Sequence, residues 1–163
     1  MKVLGIDPGI GITGCAIVEE DKGKFSLLDQ KALTTPTSLT SAKRLEKLYD
    51  QLVQLVQSQK PDVCALETLI FNTNVTTAFA VGQARGVIIL ALAKANIPVV
   101  EYSPIQVKMA ITGYGRAGKS QIQQMVKQIL KLPKILSPDD IADAAAIALT
   151  HLFSYKLNKL KLK

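Results

Sequence analysis

The chain opens with a short apolar run, Val3-Leu4-Gly5-Ile6, that stops on a carboxylate, Asp7, before Pro8-Gly9. A second run, Ile12-Thr13-Gly14-Cys15-Ala16-Ile17-Val18, follows at once. Apolar, largely β-branched residues on either side of a Pro-Gly break predict strand, tight turn and returning strand. Phe25 to Thr35 alternates weakly and is expected to complete a meander. Beyond a polar loop through Pro36, residues Leu45, Leu48, Leu52, Leu55 and Val56 recur at the period of an amphipathic helix. That helix starts at Ser41 and ends before Pro61. Val63 to Leu66 is apolar without alternation, as in a strand covered on both faces within a parallel sheet. It too stops on a carboxylate, Glu67.

Val75 to Ala95 reads as a long helix that is apolar nearly all round, so it is expected to be covered on most sides. Gly82 and Gly86 would let another helix approach closely, and a second copy of the chain is the expected cover. Arg85 in this stretch is either an interface ion-pair partner or a phosphate contact. Ile97 to Tyr102 is a fifth strand, and Ser103-Pro104 opens a short helix through Ile111. A further helix, Lys119 to Leu132, turns Ile122, Met125, Val126, Ile129 and Leu130 inward and is stopped by Pro133. The connection Gly113 to Ser120 has the bare spacing of a phosphate-binding P-loop, but that motif needs a strand before it. Here a helix precedes it, so the match is read as accidental. Lys108, Arg116 and Lys119 remain as a patch for a phosphate backbone. The last helix is expected to have Ser137 as its N-cap and Pro138 in its first turn.

At 163 residues the chain is long enough for one domain with its own core, placed at 1–155 with a flexible Lys-rich tail over 156–163. No window holds the roughly 18 uninterrupted apolar residues of a membrane helix. A single Lys and then a strand at the N-terminus do not resemble a secretory signal. Cys15 and Cys64 sit in strands and read as inert core thiols, which suits a cytoplasmic protein. The formal charge of +7 points to a polyanion partner, although four of the twenty basic residues lie in the last eight positions.

A carboxylate closing a hydrophobic strand lowers strand propensity and packs poorly, and here it happens twice. Parallel neighbouring strands would place Asp7 and Glu67 at one sheet edge, where open α/β sheets hold their sites. Asp140 and Asp143 stand one turn apart on a small-residue helix whose stripe continues through Ile147. All four carboxylates can converge if the last helix packs beside the first strand. Such a cluster repels itself unless cations lie between its members. Oxygen donors without His or Cys suit Mg²⁺ or Mn²⁺, and a pair of ions about 4 Å apart suits phosphodiester hydrolysis. Glycines 9, 11 and 14 would leave the backbone bare for a phosphate. The only histidine, His151, is expected at a surface or edge, and no Ser-His-Asp set is in view.

Taken in order, Leu4-Gly-Ile-Asp7-Pro-Gly9, Gly82-Gln-Ala-Arg-Gly86, Gln106-Val-Lys108, Lys119-Ser120-Gln121, Asp140-Ile-Ala-Asp143-Ala and Thr150-His151 resemble the RuvC family of Holliday-junction resolvases. The resemblance covers nearly the whole chain. It implies an α/β, RNase H-like fold with a five-stranded mixed sheet, an antiparallel meander followed by parallel strands, flanked by helices. It implies a homodimer built on the helix around Gly82-Gly86, and paired nicks in a four-way DNA junction that leave 5′-phosphate and 3′-hydroxyl ends. The branch-migration proteins RuvA and RuvB are the implied partners, with no membrane. Asp7, Glu67, Asp140 and Asp143 take the places of metal ligands for Mg²⁺, with Mn²⁺ as substitute and two ions per active site. Lys119 falls near the scissile phosphate and Lys108 beside the junction. Family members often carry Phe three residues after the strand-end Glu as a stacking wedge. Here that place is Ile70, with Phe71 next to it, so Phe71 either stacks at the crossover or belongs to the core.

Two other enzyme readings and one binding reading compete. An actin-like sugar kinase shares the opening Asp-Pro-Gly and meander, but needs two such domains. An RNase H acting on RNA–DNA hybrids would use the same carboxylates. A junction-binding protein without chemistry would do better without them.

Overall fold

Three antiparallel strands, β1 (Lys2–Asp7), β2 (Ile12–Asp21) and β3 (Lys24–Thr34), form the meander. Strands β4 (Val63–Glu67) and β5 (Val99–Tyr102) then add in parallel on the free side of β1, giving the order β3-β2-β1-β4-β5. In this computed structural model the backbone is described for residues 1–68 and 75–161, and side chains for 1–68 and 78–155. Ile70, Phe71 and the side chains of the Lys-rich tail lie outside the described residues.

Helices cover both faces of the sheet, as the unalternating apolar strands require. α1 (Ser41–Gln59) and α2 (Val75–Lys94) enclose one core with Leu4, Ile6, Cys64 and Leu66. α3 (Pro104–Thr112), α4 (Lys119–Ile129) and α5 (Asp139–Lys161) enclose the other with Val3, Val63 and Ala65. Successive strand residues face opposite sides. The odd-numbered positions of β1 and β4 therefore face α5, and Asp7 and Glu67 continue that phase at the strand ends.

The approach of α5 depends on two glycines. A β-carbon on Gly5 would stand 2.0 Å from the Ala144 carbonyl oxygen and 2.9 Å from the Ala148 β-carbon. One on Gly14 would stand 2.0 Å from the carbonyl oxygen of Asp140. α5 meets this with a run of buried small residues, Ala142, Ala144, Ala145, Ala146 and Ala148. At these points a main-chain carbonyl of α5 lies directly against the bare glycine.

Several boundaries differ from the sequence reading. α5 begins at Asp139 rather than at Pro138, so Ser137 is not its N-cap. It also continues to Lys161, past the expected domain limit at 155, because neither Pro nor Gly interrupts residues 139–161. α4 stops at Ile129, and Lys131 takes a left-handed conformation with φ 53° before Pro133 is reached. α3 ends on Gly113, whose φ of 74° closes the helix, so the 113–120 connection joins two helices and no strand leads into it. Within the single chain α2 is covered on one side only. Ala84, Ile88 and Leu92 are buried, whereas Phe79 is 68% and Leu90 55% exposed, and among the described residues nothing lies within 4 Å of Gly82 or Gly86.

Candidate active site

The site lies at the edge where β1 and β4 end. Ile6 and Leu66 form the last paired rung between them, and the next residue of each strand is Asp7 or Glu67. The turn after Asp7 is tied from within. Thr13 Oγ1 donates to the Gly9 carbonyl at 2.6 Å and accepts from the Gly9 N–H at 3.3 Å. Arg44, reaching across from α1, donates to the Ile10 carbonyl at 3.1 Å and to Thr35. Two of the glycines expected to admit a phosphate, Gly9 and Gly14, serve the chain instead. The bare faces of Gly9 and Gly14 are filled by the carbonyls of Ile12 and Asp140, and the Arg44 guanidinium lies 3.7 Å from the Gly11 position.

With α5 seated on Gly5 and Gly14, its first two turns bring Asp140 and Asp143 to the same edge. Burial pushes the Asp7 carboxyl up to about 7, helped by repulsion from Glu67, Asp143 and Asp140 and opposed by Lys119. Burial, then repulsion from Asp143, raises Glu67. Burial also raises Asp143, against the pull of Lys119. Asp7, Glu67 and Asp143 thus carry the cost of a half-buried charge next to others of its sign, and Asp140 adds to the repulsion at Asp7 and Asp143. The four predicted ligands therefore share one electrostatic environment.

Lys119, the first residue of α4, enters from the side. Its ammonium lies 3.2 Å from an Asp143 carboxylate oxygen and 3.2 Å from one of Asp139. Burial alone would lower its pKa, but these bonds raise it on balance. Lys119, Lys108, Glu67 and Asp143 line one cleft of about 200 Å³, floored by Val107, Ile122 and Ile147. Arg116 is exposed on the 113–118 connection and is not part of that lining.

Two residues behave differently from the sequence reading. Arg85 forms an ion pair inside its own chain, 2.5 Å from Glu101, and its other terminal nitrogen donates to the Glu67 main-chain carbonyl. His151 is buried at 7% exposure rather than at a surface, 3.0 Å from the Tyr102 hydroxyl and stacked on Tyr155. Burial holds its pKa below the ordinary value. The signal was its spacing: His151 follows Ile147 by one turn on the buried stripe of α5. Cys15 and Cys64 are free, fully buried thiols raised by burial, as expected.

The donor chemistry fits a hard divalent cation. Asp7, Glu67, Asp140 and Asp143 offer only oxygen, and a cation between them would relieve the repulsion that adds to burial in lifting Asp7. Among the described residues, no three potential ligands stand close enough to enclose an ion in this conformation. Lys119 neutralises part of the charge instead.

The strand order, the two carboxylates in phase at adjacent strand ends and the third pair on the packed last helix define an RNase H-like α/β fold with an acidic edge. The family profile described as "Crossover junction endodeoxyribonuclease RuvC" matches residues 3–151. The chain is 49% identical over 160 residues to the protein of that name from Ruminiclostridium cellulolyticum, covering 98% of this chain and 96% of that one. It aligns with the Thermus thermophilus RuvC structure at a TM-score of 0.90, with 35% identity and 97% of both chains covered. The T. thermophilus RuvC in complex with Holliday junction substrate gives 0.92, with 34% identity, 97% of this chain and 96% of that one. The chain belongs to the RuvC family of crossover junction endodeoxyribonucleases. It is a hydrolytic nuclease, and the activity of this family needs a divalent metal. Among the described residues no helix is long and apolar enough to cross a membrane.

Proposed function

We propose that the protein resolves four-way DNA junctions in recombination and repair by paired hydrolytic nicks made at the acidic edge. The observation that carries this reading is the meeting of Asp7, Glu67, Asp140 and Asp143 with Lys119 at one strand edge, in a member of the RuvC family. The four carboxylates are assigned as ligands of Mg²⁺, with Mn²⁺ as substitute and two ions per site. Such ions, when bound, supply hydroxide at neutral pH and stabilise the leaving oxygen. The half-buried setting of Asp7 and Glu67 holds their oxygens away from competing water.

Lys119 and Lys108 share the cleft with Glu67 and Asp143 and are assigned to the phosphate at the cut. Exposed Arg116 is assigned to the backbone further along the strand. Phe71 is assigned to stacking at the crossover. Paired cutting needs two sites, and the uncovered apolar face of α2 is assigned to a homodimer. RuvA and RuvB, in the cytoplasm, are the assigned partners on the junction, and each cut leaves 5′-phosphate and 3′-hydroxyl ends.

The test is an end-labelled mobile four-way junction beside duplex DNA and an RNA–DNA hybrid, each with Mg²⁺ or EDTA. Paired, ligatable nicks confined to the junction and to Mg²⁺ are expected. Cutting of the hybrid, or cutting in EDTA, would overturn the substrate or the metal.

A further inference from the structure

The peptide unit that joins Glu67 to Thr68 is held at both of its polar atoms. Its carbonyl, which belongs to the last residue of β4, accepts from the Arg85 guanidinium. Its N–H, on Thr68, donates to the Tyr102 carbonyl at 2.9 Å. The Thr68 hydroxyl donates to that same carbonyl at 3.4 Å. A strand's final carbonyl ordinarily turns to water or to a loop. Here an arginine from α2 supplies the missing rung, and the backbone torsion that aims the Glu67 side chain cannot drift.

Arg85 is itself anchored. Its second terminal nitrogen lies 2.5 Å from the Glu101 carboxylate, and its side chain is only 13% exposed. Glu101 pairs in register with Leu66, one residue before Glu67. The guanidinium therefore bridges β4 and β5 where both strands end, using the two arms of its planar fork. A lysine could reach one of these acceptors but not both in fixed geometry. Arg85 meets Glu67 at the main-chain carbonyl, so it bears on the peptide that carries the Glu67 side chain.

We propose that Arg85 is a positioning residue for the metal site, acting by clamping the Glu67–Thr68 peptide with Glu101 as its anchor. The proposal rests on the assignment of Glu67 as an ion ligand. It places a determinant of ion affinity on the helix assigned above to the homodimer, on the sheet face away from α5.

The test is Mn²⁺ binding to the metal-free protein, followed by the loss of the free-ion paramagnetic resonance signal. Arg85→Lys, Glu101→Gln and the double variant are compared with the parent chain. Arg85→Lys is expected to weaken Mn²⁺ binding by about 10-fold, in the range of lost outer-shell partners. Glu101→Gln, on a residue 45% exposed at the sheet edge, leaves the fold intact and is expected to weaken binding by a smaller factor. The double variant should be no weaker than Arg85→Lys, because both changes break one clamp. Circular dichroism and junction binding in Ca²⁺ should stay at parental levels. Parental Mn²⁺ affinity in folded Arg85→Lys would overturn the proposal. So would unchanged affinity in Glu101→Gln if Arg85→Lys failed to fold. Failure of the parent chain itself to bind Mn²⁺ would instead overturn the ligand assignment, and the role of Arg85 with it.

Discussion

Gly14 faces the carbonyl of Asp140 so closely that a single β-carbon would stand 2.0 Å from its oxygen. No rotamer change can relieve this contact, because both sides are backbone. Gly14→Ala is expected to push the head of α5 off the sheet, destabilising the fold by about 1–3 kcal/mol, as overpacking does. Asp140 and Asp143 would move with the helix. Urea unfolding should show the loss of stability, and junction cutting should fall further than that loss accounts for. Parental stability and cutting in Gly14→Ala would mean that α5 has more freedom than this contact allows.

Asp7→Asn keeps the shape of the site and removes a charge from its most strongly perturbed carboxylate. Cutting is expected to fall about a thousandfold, roughly 4 kcal/mol of barrier, while binding of the junction in Ca²⁺ is retained. Gel-shift and cleavage assays on the same preparation separate the two. Retained Mg²⁺-dependent nicking would remove Asp7 from the chemistry.

The same carboxylate predicts an unusual pH dependence for the metal-free protein. Its folded pKa of about 7 lies above the ordinary carboxylate value of 3.8, so between those limits the folded state holds a proton that the unfolded chain has lost. Its contribution to stability is therefore full below about pH 4 and disappears as pH rises through 7. In EDTA at pH 8, Asp7→Asn should melt about 2–4 °C above the parent, a gap that closes at pH 4. Added Mg²⁺ should stabilise only the parent. A gap independent of pH would show that Asp7 is not the group responsible.

Lys119→Met removes the cation between Asp139 and Asp143 from the cleft. Turnover is expected to drop about 100-fold, as for a lost donor to developing charge. The salt slope of junction binding should fall by about 1. Equal salt slopes in both proteins would place Lys119 away from the DNA.

The open face of α2 gives a prediction that leaves the site untouched. Among the described residues of the single chain nothing lies within 4 Å of Gly82, so Gly82→Leu meets none of them and improves helix propensity by about 0.8 kcal/mol. Sedimentation should nevertheless show a shift from dimer to monomer at micromolar concentration. A dimer as tight as the parent's would place the subunit contact elsewhere.

Much of the site was legible because it follows from periodicity. Asp7 and Glu67 end apolar strands, Asp140 and Asp143 share one turn of a small-residue helix, and a parallel pairing of β1 and β4 brings these facts together. What could not be read depends on long-range contact. Nothing local to Gly14 tells whether its bare face awaits a phosphate or a helix; the answer is Asp140, far along the chain. Arg85 leaves an interface ion pair and a phosphate contact both open in the sequence, because its acceptors, Glu67 and Glu101, come from strands on either side of it. His151, late on the last helix, is expected at a surface or edge, but its place one turn after Ile147 carries it inward to the Tyr102 hydroxyl. The end of α5 lay beyond 155 because lysine-rich sequence is as compatible with helix as with a solvated tail.

The seam under α5 has one more effect. At Gly5 and Gly14 the nearest atoms of α5 are the carbonyl oxygens of Ala144 and Asp140, with β-carbons the only side-chain atoms beside them, so the spacing of helix and strands there takes its gauge from the backbone rather than from long side chains. Exchanging leucine for isoleucine in either core can alter packing and melting temperature without a lever on that gauge. Only a new atom in the seam has one. In a protein built this way core substitutions bear on stability, while the spacing of β1 and α5, on which the assigned metal site would depend, stays where the backbone sets it.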